Sequence, residues 1–383
     1  MPSDSPVFVS LGEVSIAEFL ADYWQKKPLL VRNAVAPEEL TASGDDLAGL
    51  ALEDWVESRI IREDQGRWHL NNGPFEESTF SQLPASHWTL LVQAVDQIIP
   101  DVHGLLDYFR FIPNWRLDDI MISYAADQGS VGPHFDDYDV FLLQGQGRRR
   151  WQLGQVCDAN TPLIEGTALS LVADFCSTEQ WVLEPGDMLY LPPKWAHWGV
   201  AEGECVTYSV GFRAPSAYEA LSSFTDFIAQ QPQYANRFQD QRPTIPTRAG
   251  QITPENLDEF YHWFRQMVDD KQSFLRWFGG EMTRNKYAEP DYDDAQLTPQ
   301  EVDSLLSACN EPLEKSMQAR WAYFEHGEQA SLFVDGHGWS VSSSLARFLC
   351  DNRFLAIDKL KQVAQGDQDR RVLAQLLALS LLL

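Results

Sequence analysis

Val131-Gly132-Pro133-His134-Phe135-Asp136-Asp137-Tyr138-Asp139-Val140-Phe141-Leu142-Leu143 is a polar cluster that runs without a break into a β-branched and aromatic stretch. Read as a strand, it sets His134 and Asp136 at i and i+2, so an imidazole and a carboxylate leave one face of a sheet together. Working outward, a partner lies 63 residues on, in Gly186-Asp187-Met188-Leu189-Tyr190-Leu191-Pro192-Pro193-Lys194-Trp195-Ala196-His197-Trp198-Gly199. That segment reads as a strand, a Pro-Pro turn, and His197 where the chain re-enters the sheet.

Two histidines and one carboxylate on one side of a ferrous ion leave its other positions open for a co-substrate and oxygen, the facial triad of non-haem iron oxygenases. His134, Asp136 and His197 are therefore the candidate metal ligands and catalytic residues. An H-x-D tripeptide alone is weak, since a chain of this composition supplies about two-thirds of one by chance. The second histidine, behind a strand and a turn in a block of short strands, is what gives the pattern weight.

A chain of 383 residues, 44% of them hydrophobic and 12% aromatic, can bury one large core and one or two small ones. It has no apolar run long enough for a membrane span, and its Met-Pro-Ser-Asp-Ser-Pro start is unlike a signal peptide, so a cytoplasmic protein is expected. Five cysteines without a C-x-x-C pair argue against a disulfide framework and a structural zinc site. A net charge of −27 repels phosphate backbones and attracts basic proteins, so direct nucleic-acid binding is disfavoured.

Alternation assigns faces to the strands of the block 115–215. In the segment 118–125, Ile120, Ile122 and Tyr124 share one face, while Asp119, Met121 and Ser123 share the other, a polar row suited to the lumen of a barrel. In the segment 148–153, Arg149 goes with Trp151 and Leu153, which aims it inward. An inward guanidinium in so acidic a chain needs an anion, and its planar fork suits a carboxylate. Thr207, Ser209 and Gly211 form another small polar face between large apolar neighbours.

Before this block, the spacing predicts a helix at 14–24 capped by Ser15, a strand at 27–32, helices at 47–62 and 86–111, and a strand at 68–71. After it, helices are expected at 217–229 and 255–278, with too little bulk to bury one another, so that they pack against the barrel or a second copy of the chain. An acidic linker at 289–294 follows. Thr298-Pro299-Gln300-Glu301 is a capping box, 320–341 reads as strands with an Asp335-Gly336 hairpin turn, and helices follow at 344–350, 354–364 and 368–382. That order suggests a winged-helix-like module, which without a basic stripe favours a structural or docking role over DNA binding.

Three motifs, G-P-H-F-D-D-Y-D-V-F-L-L-Q-G-x-G-R-R-R-W, G-D-M-L-Y-L-P-P-x-x-x-H and Y-S-V-G-F-R-A-P, together resemble those of the bacterial ribosomal oxygenases of the JmjC/cupin class. The resemblance spans the chain and implies a double-stranded β-helix (jelly roll) with flanking helices at 1–215. It further implies a helical dimerisation region and linker at 216–295 and a winged-helix-like domain at 296–383, α+β in all. The implied activity is Fe(II)- and 2-oxoglutarate-dependent hydroxylation, with dioxygen, of the β-carbon (C3) of an arginine in the sixteenth large-subunit ribosomal protein, by a homodimer. By position, Arg149 and Ser123 would bind 2-oxoglutarate, and Asp119, Met121, Tyr138 and Ser209 would line the arginine pocket, with Trp198 at the edge nearest the iron.

Other classes fit parts of the pattern. A JmjC-type protein demethylase would oxidise N-methyl groups rather than a carbon of the chain, and a non-oxygenase metal-binding cupin would bind without turnover. A zinc or manganese hydrolase or isomerase would leave Arg149 without a ligand.

Overall fold

The structure, a computed structural model, describes residues 8–241, 245, 247–287, 297–308 and 311–383. They form two compact units, one of residues 1–214 with 285–291 and 316–318, the other of the remainder. The linker expected at 289–294 lies outside the described residues.

The first unit is built on a sheet of nine antiparallel strands. These are β1 (Leu29–Val31), β2 (Ser58–Asp64), β3 (Arg67–Asn72), β4 (Trp88–Val92), β5 (Leu117–Ala125), β6 (Val140–Val156), β7 (Glu179–Leu183), β8 (Met188–Leu191) and β9 (Trp195–Phe212). They run in the order β1-β8-β6-β9-β5-β4-β2-β3, with β7 also on β6, the jelly-roll arrangement expected. Helices α1 (Ile16–Glu18), α2 (Gly44–Leu50), α3 (Glu77–Ser81) and α4 (Pro100–Gly104) flank it.

Strand β6 separates two cores by alternation. Phe141 and Leu143 face a large cluster that includes Phe19, Phe109, Tyr190 and Phe212, whose rings meet Phe141 at 4.8–5.7 Å. Val140 and Leu142 face the other way, with Leu189 and Leu191. Further along, Trp151 and Leu153 join that second cluster although they are of opposite parity. The register explains the change: Gln144 pairs Thr207 and Gln146 pairs Val206, so Gly145 is an extra residue on β6. A Cβ at Gly145 would lie 2.6 Å from the Tyr208 ring, so the bulge needs glycine there. This parity switch turns Arg149 inward.

Two expected helices are corrected. Residues 47–62 divide into α2, capped by Ser43 and Asp46, and strand β2. Ile60, paired with Leu90, is buried there by β-sheet neighbours that a helix would not supply. Residues 86–111 begin with β4, an interior strand between β2 and β5. Its five residues, apolar but for Thr89, fit either period, and tertiary pairing decides. Ala94, at φ +52°, then turns the chain, and Pro100 starts α4. The helix at 14–24 is capped by Ser15 as expected but widens into a π-helical turn at Phe19–Tyr23.

The second unit contains α5 (Ala217–Ala229), α6 (Pro254–Val268) and α7 (Lys271–Thr283). The single helix expected at 255–278 is two, because Asp270 accepts from the Gln272 and Ser273 amides and caps a new start. Phe224, Ile228 and Trp277 form a small core. No residue of α6 is buried, and Leu257, Phe260, Tyr261 and Phe264 stand exposed. Beyond, α8 (Pro299–Ala308) starts at the Thr298–Glu301 capping box, and β10 (Leu313–Glu314) follows. The strands β11 (Trp321–His326), β12 (Gln329–Val334) and β13 (His337–Ser342) form a three-stranded sheet that turns at Asp335-Gly336. Then come α9 (Ser343–Asp351), β14 (Phe354–Leu355), α10 (Ile357–Val363) and α11 (Asp367–Ala378). No helix among the described residues is long and apolar enough to cross a membrane.

Candidate metal centre

The segment carrying His134 and Asp136 is not the strand expected, since β6 begins only at Val140. Pro133 has no N–H for a ladder, and Gly132 sits at φ +85°, a left-handed turn where a Cβ would lie 2.8 Å from the Leu171 side chain. One antiparallel bridge replaces the ladder: His134 N donates to His197 O at 3.0 Å, and His197 N to His134 O at 2.8 Å. That pair sets the two imidazoles side by side, ring centroids 4.3 Å apart and planes tilted by 59°. Asp136 follows at i+2, its carbonyl accepting from Lys194 N at 2.6 Å in the Pro-Pro turn.

One ligand atom from each of His134, Asp136 and His197 lies within 4.8 Å of the others, and His197 Nε2 is 3.6 Å from Asp136 Oδ2. Each histidine donates Nδ1–H to a backbone carbonyl, His134 to Gly132 O at 3.0 Å and His197 to Trp195 O at 2.9 Å. Carbonyls only accept, so both Nε2 atoms keep their lone pairs for a metal. Burial, with His134 beside it, pushes His197 down to about 4, so it stays the neutral imidazole that a metal requires. The three side chains thus fit one metal ion with protein donors on one side.

Ser130 fixes the loop. Its Oγ donates to Gly199 O at 2.7 Å and accepts from Gly132 N at 3.0 Å and Trp198 Nε1 at 3.0 Å. Trp198 thereby braces the loop with its indole, edge-on to Phe175. Of the motif's other carboxylates, Asp137 is exposed. Asp139 is fully buried as an acceptor for Tyr190 Oη, Gln25 Nε2 and Arg116 Nη2, a structural knot.

Arg149 is 4% exposed, lies over the Trp151 ring, and donates from Nη1 to Ser123 Oγ at 3.3 Å. Its Nε and Nη2 are buried with no partner among the described residues. Unpaired N–H groups on a buried guanidinium point to a missing anion, and two nitrogens of one fork match a carboxylate.

Asp119, Met121 and Ser123 alternate along β5, and Met121 pairs Ser209 on β9. Asp119 is 4% exposed, and its Oδ2 accepts from Gln93 Nε2 at 2.7 Å and Ala94 N at 3.0 Å. A Cβ at Gly211 would be 3.6 Å from Oδ1, so glycine leaves that oxygen open. Burial, reinforced by Asp96 and Asp118, pushes Asp119 up to about 7. Neighbouring Asp118 is held by Arg213 and Lys286, whereas Asp119 has no cation among the described residues. Tyr138 stands half-exposed, its phenol raised chiefly by the Asp136 carboxylate. Gln93, Ser130 and the bracing role of Trp198 escaped the sequence reading, because none belongs to a motif and each acts through a partner distant in the chain.

A jelly roll carrying His-x-Asp and a distant histidine is an arrangement of non-haem iron oxygenases, and residues 104–220 match the JmjC domain model within that class. The chain is 36% identical over 288 residues to ribosomal protein uL16 3-hydroxylase of Escherichia coli, covering 73% of this chain and 76% of that one. It is 32% identical over 365 residues to a probable ribosomal oxygenase of Haemophilus influenzae, covering 92% and 89%. The E. coli ribosomal oxygenase YcfD, solved in complex with cobalt and 2-oxoglutarate, superposes with a TM-score of 0.83 at 30% identity, over 97% of this chain and 98% of that one. The chain belongs to the ribosomal oxygenase family of JmjC proteins.

Proposed function

We propose that the chain is an Fe(II)- and 2-oxoglutarate-dependent oxygenase that hydroxylates C3 of an arginine in ribosomal protein uL16. The observation that carries this is the pairing of a three-donor metal site with a buried, unsatisfied Arg149 in the same barrel. His134, Asp136 and His197 would hold the iron, and Arg149 with Ser123 would hold the distal carboxylate of 2-oxoglutarate. When bound, iron and 2-oxoglutarate supply the oxidant for C–H hydroxylation, with succinate and carbon dioxide released. The protein's part is to place the carbon. Asp119, buried without a cation, would take the substrate guanidinium on its open Oδ1, with Met121, Ser209 and Tyr138 around the aliphatic stem.

The charge of −27 favours capture of a basic, RNA-free ribosomal protein over one already coated with RNA. The exposed apolar face of α6, with Tyr218 and Leu221 of α5 also exposed, supports the reading of 216–295 as a dimerisation region, which light scattering of the full chain tests. The site reading is tested by anaerobic titration of Fe(II) with 2-oxoglutarate. A visible charge-transfer band should form, and it should be lost in Asp136→Ala. A band that persists in that variant would refute the ligand assignment.

A further inference from the structure

The chain returns to the barrel unit at Asn285, and the residues that make the return carry bonds the metal centre does not need. Asn285 Nδ2 donates to Gln97 Oε1 at 3.1 Å, Asn285 Oδ1 accepts from Tyr287 N at 3.0 Å, and Lys286 Nζ donates to Asp118 Oδ2 at 2.5 Å. These bonds hold Tyr287 so that its Oη accepts from Gln93 Nε2 at 3.3 Å. That same nitrogen lies 2.7 Å from Asp119 Oδ2. Gln93 Oε1 accepts from Arg59 Nη2 at 3.3 Å, which settles which end of the amide faces the carboxylate. A phenol therefore sits no more than two hydrogen-bond lengths from the buried carboxylate that has no cation of its own.

Burial, then Asp119 and Asp118, raises the Tyr287 phenol, so its ring stays neutral and offers a π-face rather than a charge.

We infer that Tyr287 is a specificity-determining wall of the Asp119 pocket, selecting a planar guanidinium over an ammonium. The inference rests on the reading that Asp119 receives the substrate arginine. A guanidinium can hydrogen-bond in its plane to Asp119 while its faces meet aromatic rings, whereas a hydrated ammonium has no flat face to offer. Lys286 serves as the latch, because its bond to Asp118 keeps the segment against the barrel.

The test uses the full chain with Fe(II), 2-oxoglutarate and a uL16 peptide bearing arginine, lysine or citrulline at the reacting position. Hydroxylation is read by mass spectrometry, and peptide binding is read by calorimetry on the metal-free protein. Tyr287→Ala should raise KM and the dissociation constant for the arginine peptide about tenfold, keep kcat within about twofold, and narrow the preference for arginine over lysine. Tyr287→Phe keeps the ring and should cost about twofold, and Lys286→Ala should move in the same direction as Tyr287→Ala. The KM for 2-oxoglutarate serves as the check on folding, and Tyr287→Leu replaces Tyr287→Ala should the latter fail to fold. Unchanged arginine affinity and preference in the ring-less variant, beside a raised KM in Asp119→Asn, overturns the role of Tyr287 and leaves the pocket standing. An unchanged KM in Asp119→Asn as well overturns both.

Discussion

Asp119→Asn separates the cost of the pocket from its use. The carboxyl is raised from 3.8 to about 7. Between those values the folded chain holds a proton that the unfolded chain releases, so this group lowers stability as pH rises through that window. At about 1.36 kcal/mol per unit, a shift of about three units sets a ceiling of roughly 4 kcal/mol by pH 8, and hydration and relaxation bring the expected value to about 1–3 kcal/mol. Asparagine keeps an oxygen for Gln93 and Ala94 but carries no charge. The variant should therefore match the parent near pH 4 and exceed it by about 1–3 kcal/mol at pH 8, in urea unfolding of the metal-free chain. Its KM for an arginine peptide should rise ten- to hundredfold, the value of a charged hydrogen bond of about 1.5–3 kcal/mol. In the parent that KM should fall as pH rises toward 7 and then level off, and in the variant it should be flat. A variant less stable than the parent at pH 8, with an unaltered KM, would refute the reasoning.

Arg149→Met removes the buried fork while keeping its bulk, and the KM for 2-oxoglutarate should rise about a hundredfold, as steady-state succinate release would measure; a rise under twofold would exclude the carboxylate role. Gly132→Ala forces a side chain into a φ of +85° and toward Leu171, so it should cost about 1–2 kcal/mol in urea unfolding and weaken Fe(II) binding by displacing His134. The apparent second-order rate with intact uL16 should fall as salt is raised, since the charge of −27 acts over a Debye length of about 8–10 Å; a salt-independent rate would remove steering.

The juxtaposition of the candidate donors His134 and Asp136 was legible because their spacing is local, and His197 joins them from 63 residues on. His134 and Asp136 share a face through the one-bridge pairing with His197 even though no strand forms there. Arg149 was legible for a related reason. Alternation within five residues needs no knowledge of the bulge at Gly145, which decides only how that face relates to Val140 and Leu142. The β5 face was read by the same rule, and Met121 opposite Ser209 followed from pairing.

What could not be read depends on distant partners. Trp88 to Val92, apolar but for Thr89, suits a helix or a strand, and only β2 and β5 on either side select the strand. The uncompensated state of Asp119 is visible only once Arg213 and Lys286 are seen to hold Asp118 instead. Gln93 and Tyr287 reach that carboxylate from separate parts of the chain, and no spacing announces either.

The central claim is that three side chains hold iron where an arginine carbon can be oxidised. Its most direct measurement is anaerobic loading with Fe(II) and 2-oxoglutarate, then addition of oxygen and uL16, with peptide mass spectrometry and succinate determination. The account predicts one oxygen gained on a single arginine, matched by succinate, and lost in a folded Asp136→Ala variant. Arginine left unmodified by the iron-loaded chain, or oxygen gain that survives Asp136→Ala, would contradict it.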